Sequence, residues 1–255
     1  MALRYCIQKV MQVHYVPLLA RQREIYEIPR GIARFREYIS TIVNPEGDDL
    51  AVFPLVAMNP MGKEHCTALL DQYLAMGADE IAQQEMIELL PLLLENEGVF
   101  RLSLVLVDDA KGGWTNRIDY EFKTRVGPAA VLQRYPWISV MLWTSDSPLE
   151  QTVCESVRLA LCRADYALTH GDPQTLQDLL IQEGQVQCRA RVTPDPLTPE
   201  EQEYTRAVLQ PHLSANGMPT IIAALFGDEG AAALGYPPLG LEKDAGLRLA
   251  WHDAS

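Results

Sequence analysis

The stretch VFRLSLVLV, residues 99–107, decides the fold class of this chain. It is an almost unbroken apolar run, and the paired acids Asp108 and Asp109 follow it directly. A run of this length that ends in polar residues indicates a buried β-strand, and the continuous apolar run at Leu50–Met58 predicts a strand covered on both faces. Because strands covered on both faces occur mainly in parallel sheets, we expect helices on each side of this strand.

Other segments extend the same pattern along the chain. Further apolar runs predict buried strands at Leu50–Met58, Trp137–Trp143 and Thr220–Phe226, and alternating residues predict half-exposed strands at 118–122 and 186–192. Apolar residues at helical spacing, together with capping signatures at Ser147 and Thr198, predict helices between them at 63–76, 79–95, 147–171, 173–183 and 198–213. The sequence therefore predicts an α/β fold with a mainly parallel, mixed sheet flanked by helices.

The N-terminal part of the chain differs from the rest in charge. Residues 1–44 look helical and carry a net charge of +4, whereas the remainder carries −17. This pattern is typical either of a basic arm for an anionic partner or of a helical face that packs on an acidic body. No linker rich in Pro, Gly or Ser follows, so we expect a helical N-terminal segment, 1–44, packed on a single α/β domain, 45–255.

The composition excludes several classes of protein. The 255 residues have a formal net charge of −13, which disfavours nucleic acid as a partner. No apolar run reaches the roughly 18 residues of a membrane span, so the sequence predicts a soluble, cytoplasmic protein, and its composition is compatible with a homo-oligomer. Five cysteines without a C-x-x-C pair indicate reduced thiols rather than a disulfide framework. They are Cys6, Cys66, Cys154, Cys162 and Cys188.

Loops at the carboxyl ends of parallel strands are the expected place for a ligand. The loops after the predicted strands are rich in reactive groups, above all residues 59–65 and 108–117. Carboxylates and an imidazole there can move protons, which makes Asp108, Asp109 and His65 candidate catalytic residues. Cations, amides and an indole can bind an anionic or cyclic group. These candidate ligand-binding residues are Asn59, Lys63, Lys111, Trp114, Asn116 and Arg117.

Oxygen donors in the same loops suit a Mg²⁺ or Mn²⁺ ion better than a thiolate zinc site. The candidate metal ligands are Asp109, Asp228 and Glu229, although acids at helix starts are equally explained by the helix dipole. A nucleotide P-loop is excluded, because Ala57 and Glu64 stand where that motif needs a glycine and a hydroxyl residue. The chain also lacks the glycine fingerprint of a dinucleotide-binding fold.

Three functions fit these residues. The leading hypothesis is an enzyme that acts on a small anionic substrate, bearing phosphate or carboxylate, at the carboxyl ends of the strands, with or without a divalent metal. The second is a non-catalytic ligand-binding or regulatory module that uses the same crevice. The third is an interaction protein that docks a partner through the basic residues 1–44.

Overall fold

The computed structural model describes residues 11–93 and 96–255. The chain divides into two compact units, the first formed by residues 11–108 and 132–161 and the second by residues 109–131 and 162–255. Cys6 and the cations Arg4 and Lys9 lie outside the described residues. The division of the chain into a 1–44 segment and a 45–255 domain stays a prediction.

The first unit is built on a three-stranded parallel sheet with the order β1-β2-β3. Its strands are β1 (Gln12–Tyr15), β2 (Val99–Val107) and β3 (Trp137–Trp143). The central strand β2 is the run of residues 99–107 from which the fold was predicted, and its residues 102–107 are buried. The predicted α/β fold with a mainly parallel sheet is therefore confirmed.

Helices make up most of the rest of the described chain. In chain order they are α1 (Leu19–Glu27), α2 (Ile32–Ile42), α3 (Glu64–Met76), α4 (Ala78–Leu89), α5 (Arg117–Val126), α6 (Pro128–Arg134), α7 (Glu150–His170), α8 (Leu176–Arg189), α9 (Pro199–Leu209), α10 (Met218–Ala233) and α11 (Ala245–Ala254). Short 3₁₀ helices span Phe53–Ala57, Leu90–Leu92 and Gln210–His212.

Helix α1 is joined to the central strand by a side chain. Gln22 is fully buried, and its amide donates to Leu106 O at 2.7 Å and accepts from Leu106 N at 2.9 Å. Strand β1 pairs with β2 only as far as Leu102. The Gln22 side chain therefore satisfies the backbone of β2 beyond the end of β1, close to the residue that follows the strand.

The predicted strand at Leu50–Met58 is wrong, because a 3₁₀ helix, Phe53–Ala57, occupies its centre. Pro54 lies in the first turn of that helix, where its missing N–H and fixed φ are compatible with a helical turn and not with a central strand. Leu55 and Met58 are fully buried, and the segment packs against β2 and β3. The apolar run thus indicated burial correctly but not the backbone conformation.

Three more predicted strands are helical. Residues 118–122 lie in α5, residues 186–189 of the predicted strand 186–192 end α8, and residues 220–226 lie in α10. Local interactions explain the first two, because Asn116 caps α5 and Thr175 and Asp178 form a capping box on α8. Helix α10 is buried on all sides from Ile221 to Phe226, before a kink at Gly227, and this burial removes the amphipathic periodicity that would identify it as a helix.

Within residues 11–93 and 96–255, no helix combines the length and the apolar character that crossing a bilayer requires.

The predicted helical character of residues 1–44 is correct for α1 and α2. It is wrong for β1, whose four residues are too few to show a strand pattern.

Several described arginines of the N-terminal segment make contacts inside the first unit. Arg21 pairs with Glu37 at 2.6 Å, and Arg23 reaches Asp71 on α3 at 2.6 Å. Arg34 is buried and donates to three backbone carbonyls. These contacts are the ones expected of a helical face that packs on the body of its own unit.

The second unit is helical and contains a buried cluster of ion-paired side chains. Glu183 on α8 is 1% exposed and accepts hydrogen bonds from Arg163 at 2.7 and 2.9 Å and from Arg125 at 3.0 Å. Burial alone would raise the pKa of Glu183, but the two guanidinium groups outweigh it and lower this pKa from 4.5 to about 2. The glutamate is therefore held as a charged bridge between α5, α7 and α8.

Candidate functional site

Asp108 is the centre of a polar cluster at the carboxyl end of β2. Its carboxylate is 3% exposed and accepts a hydrogen bond from Asn59 Nδ2 at 2.7 Å on Oδ2. Its other oxygen, Oδ1, lies 2.8 Å from His65 Nε2 and 3.4 Å from Thr144 Oγ1. An ionised carboxylate only accepts, so His65 is the donor of this contact in the tautomer that carries the proton on Nε2.

The parallel pairing of the sheet brings Asp108 and Thr144 together. Val107 and Trp143 are paired residues at the ends of β2 and β3. The next residue on each strand is Asp108 on β2 and Thr144 on β3. Because side chains alternate between the faces of a sheet, these two residues point to the same face.

Asn59 is fixed by the turn that leads into α3. Its Oδ1 accepts from Met61 N at 2.9 Å, and its backbone carbonyl accepts from Gly62 N at 3.0 Å and from the Tyr26 hydroxyl at 2.6 Å. With Oδ1 occupied by a backbone donor, Nδ2 is the atom that faces Asp108. The turn therefore aims an amide donor at the carboxylate.

His65 and Cys66 stand in the first turn of α3. The Cys66 Sγ lies 3.4 Å from His65 Nε2, and the thiol is 1% exposed. Burial raises the pKa of Cys66 to about 12, and the negative charge of Asp108 adds to the effect. Burial and the charge of Asp108 both favour the neutral form, so Cys66 is a protonated thiol at neutral pH and a poor nucleophile.

Gly62 allows two of these side chains to approach the turn. A Cβ at this position would lie 2.7 Å from the Tyr26 hydroxyl oxygen and 2.9 Å from the Cys66 sulfur, closer than packed atoms can come. The Arg34 guanidinium lies 5.4 Å from the centre of the Tyr26 ring and donates to the Tyr26 carbonyl at 3.0 Å. The Gly62 position is thus explained by close packing around Tyr26 and Cys66.

We call the six residues of this arrangement the Asp108 cluster. They are Tyr26, Asn59, His65, Cys66, Asp108 and Thr144.

The Asp108 cluster does not have the geometry of a nucleophilic triad. In such a triad one ring nitrogen of the histidine faces the nucleophile and the other faces the acid. Here the same atom, Nε2 of His65, faces both Cys66 Sγ and Asp108 Oδ1. The three side chains therefore converge on a common point instead of forming a line.

A convergent nitrogen, sulfur and oxygen set is an arrangement that can hold a metal ion. The donor atoms of His65, Cys66 and Asp108 all lie within 4.8 Å of one another. Tetrahedral bonds of about 2.0–2.3 Å place neighbouring donor atoms roughly 3.3–3.6 Å apart. The Cys66–His65 separation of 3.4 Å already falls in that range, and the His65–Asp108 contact of 2.8 Å would have to open by about half an ångström.

The structure brings together only some of the predicted site residues. Asn59, His65 and Asp108 meet in the Asp108 cluster, and Lys63 lies exposed at the start of the helix that carries His65. Cys66 was predicted as a reduced thiol and not as a site residue, because two of its neighbours, Tyr26 and Asp108, come from distant parts of the chain. Its position next to His65 was the signal that could have found it. Tyr26 was not predicted as a site residue, because it lies in a segment with an ordinary helical pattern.

The other candidate ligand-binding residues belong to the second unit. Asn116 caps α5 by accepting from Asp119 N, and Arg117 pairs with Glu121 at 2.7 Å. Trp114 is 60% exposed, and Lys111 has a left-handed backbone with φ of 52°. Asn116 and Arg117 therefore have roles in α5 itself, and ligand binding by these four residues stays a prediction.

The predicted metal ligands of the second unit have structural contacts or lie on its surface. Asp228 accepts from the backbone N–H groups of Leu239, Gly240 and Leu241, which fixes the loop before α11. Glu229 is exposed, and Asp109, also a candidate catalytic residue, is half-buried at the boundary of the unit. Within the described parts of the chain, His65, Cys66 and Asp108 are the only group of three such side chains with donor atoms close enough for one ion.

No protein-family model, no curated protein and no solved structure matches this chain. The chemistry of the Asp108 cluster is thus the available guide to function.

Proposed function

We propose that this protein is a metal-dependent enzyme that acts on a small anionic substrate at the Asp108 cluster. The observation that carries the proposal is the convergence of His65, Cys66 and Asp108 within 4.8 Å at the carboxyl end of the central strand. In α/β proteins this edge of a parallel sheet is where ligands bind. The position of these three side chains in the sheet and the chemistry of their donor atoms therefore support the same proposal.

The number of donors favours a catalytic ion over a structural one. Structural zinc sites have four protein ligands, whereas catalytic sites have three and keep one position for water or substrate. The described residues of the Asp108 cluster supply three. The His65 side chain is 13% exposed, so the cluster has some contact with solvent on the side of the imidazole.

The neighbouring residues have roles that suit such a site. Asn59 and Thr144 hydrogen-bond the two oxygens of Asp108, which holds the carboxylate in one orientation. Lys63 and the first-turn amides of α3 attract anions to the same helix end. A bound divalent ion would polarise an oxygen of the substrate, which is the chemistry that none of these side chains supplies alone.

The experiment is metal analysis combined with a thermal-melting panel. Purified protein is stripped with a chelator, and its melting temperature is measured with divalent metals alone and with metals plus phosphosugars or small carboxylates. We expect a metal to raise the melting temperature of the wild type but not of Asp108→Asn or His65→Ala, and a substrate to raise it further only when metal is present.

Matched controls separate this effect from general damage. His14 is an exposed histidine on β1, and Asp71 is an exposed aspartate on α3, so His14→Ala and Asp71→Asn should respond to metal like the wild type. Equal responses of Asp108→Asn, His65→Ala and their controls would contradict the proposal.

A non-catalytic role for the same ion is the second candidate. The observation that favours it is the burial of Cys66 and Asp108, at 1% and 3% exposure, which is typical of ions that stabilise a fold. In that case the metal would raise the melting temperature strongly, and no small anionic ligand would raise it further. The same panel therefore distinguishes the two functions.

A further inference from the structure

The donor set of the Asp108 cluster also specifies the kind of metal. We infer that the site takes a borderline-soft divalent ion such as Zn²⁺, with the Cys66 sulfur as a required ligand, and not the Mg²⁺ or Mn²⁺ that oxygen donors in the sequence suggest. This inference rests on the proposed metal-dependent function and names its cofactor class.

Ligand chemistry is the first argument. Sulfur and imidazole nitrogen select ions such as Zn²⁺ and Co²⁺, whereas Mg²⁺ and Mn²⁺ prefer carboxylate, carbonyl and water oxygens. Of the three convergent donors, Cys66 supplies sulfur, His65 supplies nitrogen and only Asp108 supplies oxygen. A hard ion would find one good ligand here.

Burial is the second argument. Mg²⁺ demands octahedral geometry and usually keeps several of its waters when a protein binds it. Cys66 is 1% exposed and Asp108 is 3% exposed, while Asn59 and Thr144 contact the oxygens of Asp108. A four-coordinate ion needs only one ligand beyond the three side chains, which suits a buried position.

The support around the donors is the third argument. Asn59 Nδ2 bonds Asp108 Oδ2, the oxygen that does not face His65, and so leaves Oδ1 on the side of the imidazole. The absence of a Cβ at Gly62 gives the Cys66 sulfur the space it occupies. Outer contacts that orient the ligands in this way are a general feature of metal sites.

Cobalt substitution tests the inference directly on the wild type. Co²⁺ added to metal-free protein should give the near-ultraviolet charge-transfer band of a Co²⁺–thiolate bond and the strong visible bands of a four-coordinate ion. Zn²⁺ should then displace Co²⁺ and abolish both signals, whereas excess Mg²⁺ should leave them unchanged.

A pair of cysteine variants assigns the sulfur. We expect Cys66→Ser to lose the charge-transfer band and to weaken Zn²⁺ binding by more than about 100-fold, because the loss of outer contacts alone costs about 10–100-fold. Cys154→Ser is the matched control, since Cys154 is also a free cysteine of the first unit, and it should behave like the wild type.

The possible failures have different meanings. Tight Mg²⁺ or Mn²⁺ binding, with no thiolate band and no effect of Cys66→Ser, would overturn the inference but leave the proposed metal-dependent function in place. Failure of every divalent ion to bind the wild type would overturn both. The wild-type cobalt spectrum decides between these outcomes even if Cys66→Ser does not fold.

Discussion

Asp108 and His65 are 43 positions apart in the sequence, yet Asp108 Oδ1 lies 2.8 Å from His65 Nε2. The carboxylate follows the central strand of the sheet, and the imidazole stands in the first turn of α3. This contact turns two loops rich in polar residues into one defined site.

Asn59→Ala tests the support of the carboxylate. The change removes the donor to Asp108 Oδ2 and the acceptor of Met61 N, so the Asp108 carboxylate is held only through Oδ1, by His65 and Thr144. We expect Zn²⁺ affinity to fall about 10–100-fold while the folded structure is retained. Calorimetric titration measures the change. Asn44→Ala, which alters a comparable turn with an asparagine acceptor on an exposed loop, should leave Zn²⁺ affinity unchanged.

Gly62→Ala tests the close packing around the turn. The new methyl group would meet the Tyr26 hydroxyl and the Cys66 sulfur at less than 3 Å, so the two side chains must move apart. We expect a loss of about 1–3 kcal/mol in the free energy of unfolding, measured with urea. In the control Gly127→Ala, no atom lies within 4 Å of the added Cβ and the backbone φ is negative. A loss of equal size in both variants would refute the steric explanation.

Gln22→Ala tests the link between α1 and the central strand. The buried amide satisfies both the N–H and the carbonyl of Leu106, and its removal leaves two polar groups of β2 without this partner. Each such group costs about 1–3 kcal/mol, so we expect a large loss in the free energy of unfolding. Gln72→Ala on the exposed surface of α3 is the comparison, and it should change stability by less than about 0.5 kcal/mol.

The buried glutamate of the second unit gives a prediction for pH. The pKa of Glu183 is lowered to about 2 in the folded protein, from about 4.5 when unfolded. Its stabilising effect is therefore complete above pH 4.5 and is lost as the pH falls from 4.5 to 2. Glu183→Gln should cost about 3–5 kcal/mol at neutral pH, because it removes the charge that Arg163 and Arg125 share and leaves only Glu121 paired with Arg125.

Urea unfolding at pH 7 and at pH 3 measures this effect. The difference in stability between wild type and Glu183→Gln should be smaller at pH 3 than at pH 7. Glu229→Gln, a change at an exposed glutamate of the same unit, should follow the wild type at both pH values. A difference that stays constant between pH 7 and pH 3 would show that the charge of Glu183 does not stabilise the fold.

The sequence predicts a strand correctly where an apolar run also has the backbone conformation of a strand. Strands β2 and β3 have the predicted bounds, Val99–Val107 and Trp137–Trp143. The runs Leu50–Met58 and Thr220–Phe226 are equally apolar but helical. Hydrophobicity reports burial, and a fully buried helix has the same pattern as a fully buried strand.

The candidate site was predicted only in part for a related reason. The rule that ligands bind at the carboxyl ends of parallel strands located Asp108, and the polar loop at 59–65 supplied Asn59 and His65. That loop follows a 3₁₀ helix and not a strand, so the prediction reached it from an incorrect premise. Cys66 and Tyr26 were missed because their role depends on contacts across 42 and 33 positions, which spacing along the chain does not show.

The most direct test of the metal site is a calorimetric titration of Zn²⁺ into metal-free wild type and metal-free His65→Ala protein. We expect one bound ion for each wild-type chain, and affinity reduced by more than about 100-fold in the variant. Equal binding in the two proteins, or no binding in either, would contradict the assignment of His65, Cys66 and Asp108 as a metal centre.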